Sequence, residues 1–385
     1  MEKILDLGMH PYADSFIAED QLHLPEPVYP LELYLDKSTG LIKNGIINSA
    51  NDRYNQYKYS YTSSNSKTSR DHWDSYASYV KEKYPEAMFV VEVGSNDGYL
   101  IGQFENRLGI DISKEMVNIA NKNAIPTVLL DFTFDNVKRT FCEQKVDIII
   151  ANNVLNHAND PFDFVAGVSA LLSDNGTFIF EVPCWGEMIR TCNIDMVYHE
   201  HTYYYTLTSI NNLLQTAGLV ITDYSIVNYH GKSFRVECKK YHEGIEPAFN
   251  LTLDLMVEDI SGLFDVNHYK QVQETITRRR NEWLIKFYSI LMLDPDAVII
   301  GVGAAAKANT WLNWHRLDKT LINCITDSSE YKLGKYTPLS RIPIVSDEEF
   351  AKHESPYALI MSWNIGEELK KKILEINPNT RFITQ

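Results

Sequence analysis

At 385 residues the chain is too long for one ordinary domain, and two or three are expected. With 44% hydrophobic and 23% charged residues it has the make-up of a folded globular protein, which excludes a disordered one. A formal charge of −15, from 36 basic against 51 acidic residues, argues against a broad nucleic-acid surface.

Residues 1–70 read as a small module with little room for long helices, since Pro11, Pro25, Pro27 and Pro30 interrupt it. Tyr29–Leu35 alternates in part and predicts a strand; Lys37-Ser38-Thr39-Gly40 is a turn, and Leu41-Ile42 opens a return strand. A tyrosine cluster follows: Tyr54, Tyr57, Tyr59 and Tyr61 among serines and lysines. It reads either as a surface loop or as a substrate lid offering phenol hydroxyls.

Residues 71–240 carry a regular α/β rhythm. A helix over Thr68–Tyr84 leads into Val90-Val91-Glu92-Val93-Gly94, an apolar strand that ends in a tight turn, Ser95-Asn96-Asp97-Gly98. Two glycines permit a sharp bend and close approach of a ligand, and Asn96 and Asp97 are expected to cap a helix starting near Tyr99. The exposed amides of that helix would favour polar or anionic ligand groups. The third glycine of G-x-G-x-x-G is missing, so the dinucleotide fingerprint is a poor match. The turn looks more like the first motif, E-x-G-x-x-x-G, of class I S-adenosylmethionine (SAM) methyltransferases, here Glu92, Gly94 and Gly98.

A second strand, Asn106–Asp111, ends in an acid placed to accept hydrogen bonds from both hydroxyls of a ribose. A third, Val128–Phe132, would bring Asp131 and Phe132 near an adenine ring. A fourth, Val146–Asn153, puts Asn152 and Asn153 at the carboxyl edge where open α/β sheets bind ligands. A fifth, Gly176–Pro183, completes a doubly wound, mostly parallel sheet. Chemistry is expected just beyond these strand ends. His157 follows the fourth strand, and Tyr198-His199-Glu200-His201-Thr202-Tyr203-Tyr204 follows the fifth. His199 and His201 share a face only if that run is extended. H-x-H without a C-x-x-C pair is a weak zinc signature, so an acid/base role is the better reading. An imidazole, titrating near ~6.5, suits proton abstraction at neutral pH. Glu200 could orient it, and phenols could stabilise an oxyanion.

Asn152–His157, Tyr198–His201 and Asn228–Val236, taken in order, resemble the sugar C-methyltransferases, which include enzymes methylating C3 of nucleotide-linked 4-keto-deoxysugars. The likeness spans nearly the whole chain, from Leu7-Gly8 and Pro11 to the C-terminus. It implies a class I SAM methyltransferase domain, SAM as cofactor and a nucleotide-linked sugar as substrate. It implies His201 as base, with Tyr198, Glu200, His157 and a tyrosine such as Tyr59 assisting. Tyr57, Tyr61, His199, His230 and Arg235 would then face the substrate. The family's N-terminal module usually holds zinc through C-x-x-C pairs. Here the first cysteine is Cys142, so no zinc is expected and residues 1–70 must hold together by their own packing.

Residues 241–290 read as a helical connector whose Arg278-Arg279-Arg280 run is a solvated face. In residues 291–385, Ala297–Ala308 is an apolar strand opening into a small-residue turn, and Ile322–Asp327 is a strand ending in an acid. This is a second Rossmann-like unit. Read alone, Gly301 and Gly303 with Asp327 could bind NAD, which makes an NAD-linked oxidoreductase the reading from another class. O- or N-methylation of another small molecule is the alternative within methyltransferases. The resemblance instead makes this unit one wall of the substrate cleft, with Lys335 and Tyr336 able to approach a phosphate. Five scattered cysteines without a C-x-x-C pair predict reduced thiols and a cytoplasmic address. No apolar run reaches membrane-span length, so no membrane partner is expected.

Overall fold

The computed structural model describes residues 1–47, 62, 64 and 66–383. Tyr54, Tyr57, Tyr59 and Tyr61 lie outside the described residues.

Strands β1 (Glu2–His10), β2 (Tyr29–Leu35) and β3 (Ile42–Asn44) pair antiparallel. Leu31, Leu33 and Leu35 alternate inward along β2 and are fully buried. Helix α1 (Lys67–Lys83) is capped by the Ser66 side chain, which accepts the Ser69 N–H. Then come β4 (Val90–Val93), β5 (Arg107–Asp111), α2 (Lys114–Lys122), β6 (Thr127–Leu129), α3 (Phe134–Phe141), β7 (Val146–Asn152), α4 (Pro161–Leu171) and β8 (Leu172–Pro183). Helix α5 (Trp185–Thr191), β9 (Tyr203–Tyr204), α6 (Leu207–Thr216) and the hairpin β10 (Leu219–Val227) with β11 (Ser233–Lys240) follow.

The large sheet runs β10-β11-β8-β7-β4-β5-β6, with β11 antiparallel between β8 and β10 and the remaining pairs parallel. In sequence order that is 3-2-1-4-5-7-6, the arrangement of a class I methyltransferase domain. Strand β9 leaves this unit and pairs with β3, so the Tyr198–Tyr204 run is pinned against the N-terminal sheet.

Helices α7 (Leu251–Ile260) and α8 (Val266–Leu293) lead to a parallel sheet made of β12 (Ile299–Val302), β13 (Cys324–Thr326), β14 (Ile344–Val345), β15 (Tyr357–Ile360) and β16 (Arg381–Ile383). Its order is β14-β13-β12-β15-β16, with α9 (Ala306–His315) and α10 (Gly366–Ile376) as crossovers. One core joins the parts: Leu5 and Leu31 of the first sheet, Trp185 of α5, Tyr269 and Ile276 of α8, and Trp314 of α9. In the arginine run, Arg278 pairs with Glu282 at 3.5 Å, whereas Arg280 lies 4.5 Å over the Trp314 ring.

One expected element is missing. After β4 the chain makes only a 3-10 turn at Ile101–Gln103, with no α-helix before β5. The connection to β5 is too short for several helical turns, so the amide-rich helix end expected after the glycine turn does not form.

Candidate active site

A cavity of about 490 Å³ opens where the carboxyl edges of the two parallel sheets face each other. Glu92, Gly94, Asn96, Asp111, Asp131, Phe132, Asn152, Asn153 and His157 line its methyltransferase-fold side, with Tyr198, Glu200, His201 and His230 beside them. Asp14, Gly303, Lys307, Asp327 and Lys332 line the opposite wall.

The glycine turn is folded tightly onto β5. Gly94 N–H and Ser95 N–H both donate to the Ile110 carbonyl, Asn96 N–H to Asp111 Oδ2 at 2.8 Å, and Gly98 N–H to the Ser95 carbonyl. These amides are satisfied internally, so they are not a free anion cradle as the sequence suggested. Gly94 is at φ +69, and a Cβ there would meet Val154 Cγ2 at 2.4 Å. It is needed for the backbone and for Val154, a wall residue, not for open space above it. Gly98 lies off the wall: at φ +83, its Cβ would press Ile125 and Ala120 at the back of the turn. Asp111 ends β5 and lines the cavity. Its Oδ1 accepts Ser113 N–H at 2.7 Å, and the Ile112 N–H also donates to the carboxylate, which leaves part of its four-lone-pair capacity for a ligand. Burial raises its carboxyl above the usual range, opposed by those backbone donors.

The imidazole of His201 is held by geometry. Its Nδ1 lies 2.8 Å from the Met196 carbonyl, which can only accept, so Nδ1 carries the proton. Nε2 is therefore an acceptor, and Tyr198 O–H donates to it at 2.7 Å. His157 stands edge-on to His201 with ring centres 4.7 Å apart, its own Nδ1 donating to the Glu200 carbonyl at 2.8 Å. The orienting group for His201 is thus a backbone carbonyl, not Glu200. The Glu200 carboxylate turns the other way and accepts Asp14 N–H at 2.9 Å through Oε1. Its Oε2 is buried, with no hydrogen-bond partner among the described residues. Burial, then the Asp14 carboxylate, pushes its pKa up to about 7.

His199 is not in the cavity. The run forms a turn, with His201 N–H donating to the Tyr198 carbonyl, so the two histidines diverge. His199 packs on the rings of Tyr12 and Tyr29 with Nε2 3.2 Å from the Pro30 carbonyl. Arg235 is likewise structural: Nε and Nη2 both donate to Glu181 Oε1, whose other oxygen meets His72 Nε2 at 2.8 Å. Lys335 and Tyr336 do not line the cavity either. Tyr336 exchanges backbone bonds with Ile17 and ties the N-terminal loop to the last domain. Lys332 occupies the wall instead, donating to the Ala304 carbonyl at 2.8 Å. Asp14, Met196, Lys307 and Lys332 were missed from sequence. Only Lys307 carried a signal, as a lysine one turn after Gly301 and Gly303.

Those two glycines are accounted for by packing. A Cβ on Gly301 would meet Ile325 at 2.8 Å and one on Gly303 would meet Ser362 at 2.3 Å. Among the described residues, no group of three or more His, Cys, Asp or Glu side chains is placed to hold a metal. No helix among them is long and apolar enough to cross a membrane.

Comparison with known proteins gives two family matches. Residues 71–224 match a methyltransferase domain, and residues 228–385 match the C-methyltransferase C-terminal domain. The C-methyltransferase NovU of Streptomyces niveus is 25% identical over 386 aligned residues, covering 97% of this chain and 90% of its own. Among solved structures, the PH0226 protein of Pyrococcus horikoshii OT3 aligns with 49% of this chain and 99% of its own, at 15% identity and a TM-score of 0.40. Magnesium protoporphyrin IX methyltransferase (ChlM) of Synechocystis PCC 6803, solved with SAM, aligns with 45% of this chain and 79% of its own, at 17% identity and a TM-score of 0.35.

Proposed function

We propose, from the premise that the chain is a SAM-dependent methyltransferase carrying a C-methyltransferase C-terminal domain, that it methylates a nucleotide-linked sugar at a carbon next to a ketone. The likeness to NovU along almost the whole chain supports transfer to carbon. The observation that carries the acid/base half is the Tyr198–His201 pair: an imidazole fixed by the Met196 carbonyl, with its basic nitrogen on a phenol, in the wall of the shared cavity.

The residues present fit SAM. Asp111 keeps acceptor capacity at the strand end for ribose hydroxyls, and buried Phe132 with Leu130 offers an apolar slot for adenine. Asn96, Asn152 and Asn153 add polar groups at the same edge. The cofactor supplies an electrophilic methyl group on a positive sulfur. The protein's own task is the carbon nucleophile. In the proposed reaction the α C–H bond breaks, the proton moves to the Tyr198–His201 pair and ends on Nε2, and the electron pair passes to the ketone oxygen as an enolate. The imidazolium that results is stabilised by the Met196 carbonyl on Nδ1. Fixing the two reactants in one enclosed cavity removes much of the entropic barrier. The five cysteines are all free, in keeping with a reducing, cytoplasmic setting.

The test is solvent exchange. With S-adenosylhomocysteine bound, a nucleotide-linked 4-keto-deoxysugar in deuterated water should gain deuterium at the α-carbon by NMR. Exchange should vanish in His201→Asn. Methylation of a ketone-free hydroxyl or amine acceptor without any exchange would replace this reading by O- or N-methylation.

A further inference from the structure

Lys307 sits in the first turn of α9 and faces the cavity, only 7% exposed. A buried ammonium requires a counter-charge or several acceptors. Lys307 has neither in full. Its Nζ donates to the Asn364 amide oxygen and lies 4.4 Å over the Trp363 ring. Among the described residues, no carboxylate oxygen comes within 4.0 Å of it. Asp195 is the nearby acid that opposes its deprotonation, and that carboxylate already accepts Trp363 Nε1–H at 2.5 Å. An ammonium has three N–H donors, and with one hydrogen-bond acceptor among the described residues this one has donors to spare for an anion in the cavity.

Its place in the wall says which anion. Asp195 adjoins Met196, whose carbonyl fixes His201, so one short turn holds the base and also carries the acid whose charge Lys307 feels. His230 and His201 line the same cavity as Lys307, and the backbone beside His230 packs on the ring under the lysine, since a Cβ on Gly231 would meet Trp363 at 2.6 Å. Burial and then Lys307 keep the His230 imidazole neutral, with its pKa pushed down to about 3. The cation therefore belongs to the neighbourhood where the α-proton leaves.

We infer that Lys307, supplied by the C-terminal domain, holds the enolate oxygen of the acceptor as negative charge develops on it. This rests on the proposed ketone chemistry. The proton goes to the Tyr198–His201 pair, the C–H electrons form the enolate double bond, and the displaced carbonyl pair settles on the oxygen facing Nζ. Burial also lowers the lysine's own pKa to about 8, which leaves the ammonium in the majority at neutral pH. The last domain thereby contributes to the reaction and not only to the cleft.

The experiment compares wild type with Lys307→Met, which keeps length and removes charge, and with Lys307→Gln, which keeps a polar head beside Asn364. Folding is checked by SAM affinity in calorimetry. Running both variants means that misfolding of one does not decide the result. The probe is a nucleotide-linked 4-keto-deoxysugar, with its dissociation constant and its α-deuterium exchange at saturation measured separately. We expect exchange to fall by about 100-fold, the scale of losing one oxyanion donor, while acceptor affinity changes by less than about threefold. Exchange at the wild-type rate in saturated Lys307→Met would overturn the inference. If that came with an acceptor bound tenfold more weakly, the lysine would be holding a fixed anion such as phosphate. Absence of exchange in wild type would instead overturn the ketone chemistry, and this inference with it.

Discussion

Two histidines two residues apart have different duties in the proposed reaction, and the difference is measurable. His201→Asn should lower turnover by about 100-fold or more while SAM affinity is kept, because only proton abstraction is removed. His199→Asn should leave the kinetics of the folded enzyme alone and reduce stability by about 1 kcal/mol, the scale of one buried hydrogen bond, in a denaturant titration. A turnover loss in His199→Asn matching that of His201→Asn would contradict the division. Glu200 gives a pH prediction. Its folded pKa, about 7, is above the ordinary carboxyl value of 4.5, so between these values the folded state binds the extra proton. Stability from this group is therefore full below about 4.5 and is lost as pH rises through 7. Glu200→Gln should gain on wild type between pH 5 and 8, by on the order of 3 kcal/mol at most, when unfolding is followed across that range. A difference that does not vary with pH would mean the carboxyl is ionised throughout.

At the scale of elements, the β4 turn is held by local bonds that sequence could suggest but not aim. Gly94→Ala puts a Cβ at positive φ against Val154. It should reduce stability by about 1–3 kcal/mol and loosen SAM binding through the displaced wall. In a Val154→Ala background the clash part should disappear, leaving only the backbone strain, which a double-mutant cycle reads directly. Equal penalties in both backgrounds would contradict the packing account. Strand β4, the tight turn after it and the acid that ends β5 were legible as structure because strand, turn and acid are neighbours in sequence and obey one geometry. The α-helix after the turn was misread because local apolar residues said nothing of how little chain remains before β5. His199 and Arg235 were misassigned for a related reason. Their residue types suit a site, but their directions are set by Pro30 and Glu181, partners distant in sequence.

At the scale of the molecule, the cavity exists only because the N-terminal loop, the methyltransferase fold and the C-terminal sheet close on one another. Asp14, Lys307 and Lys332 reach it from elements far apart in the chain, which is why Asp14 and Lys332 had no sequence signal and Lys307 only its place after Gly301 and Gly303. The N-terminal sheet is tied by β9 and by the core it shares with α5 and α8. The purified protein should accordingly contain no stoichiometric zinc. About one zinc per chain in elemental analysis would mean that other ligands have taken over from the missing cysteines. The central claim is that the methyl group is delivered to carbon. Its most direct test is turnover of a nucleotide-linked 4-keto-deoxysugar with SAM labelled by carbon-13 in the methyl group, followed by carbon NMR of the product. The account predicts a labelled methyl bonded to the ring carbon beside the ketone. A labelled methyl on oxygen or nitrogen would contradict it.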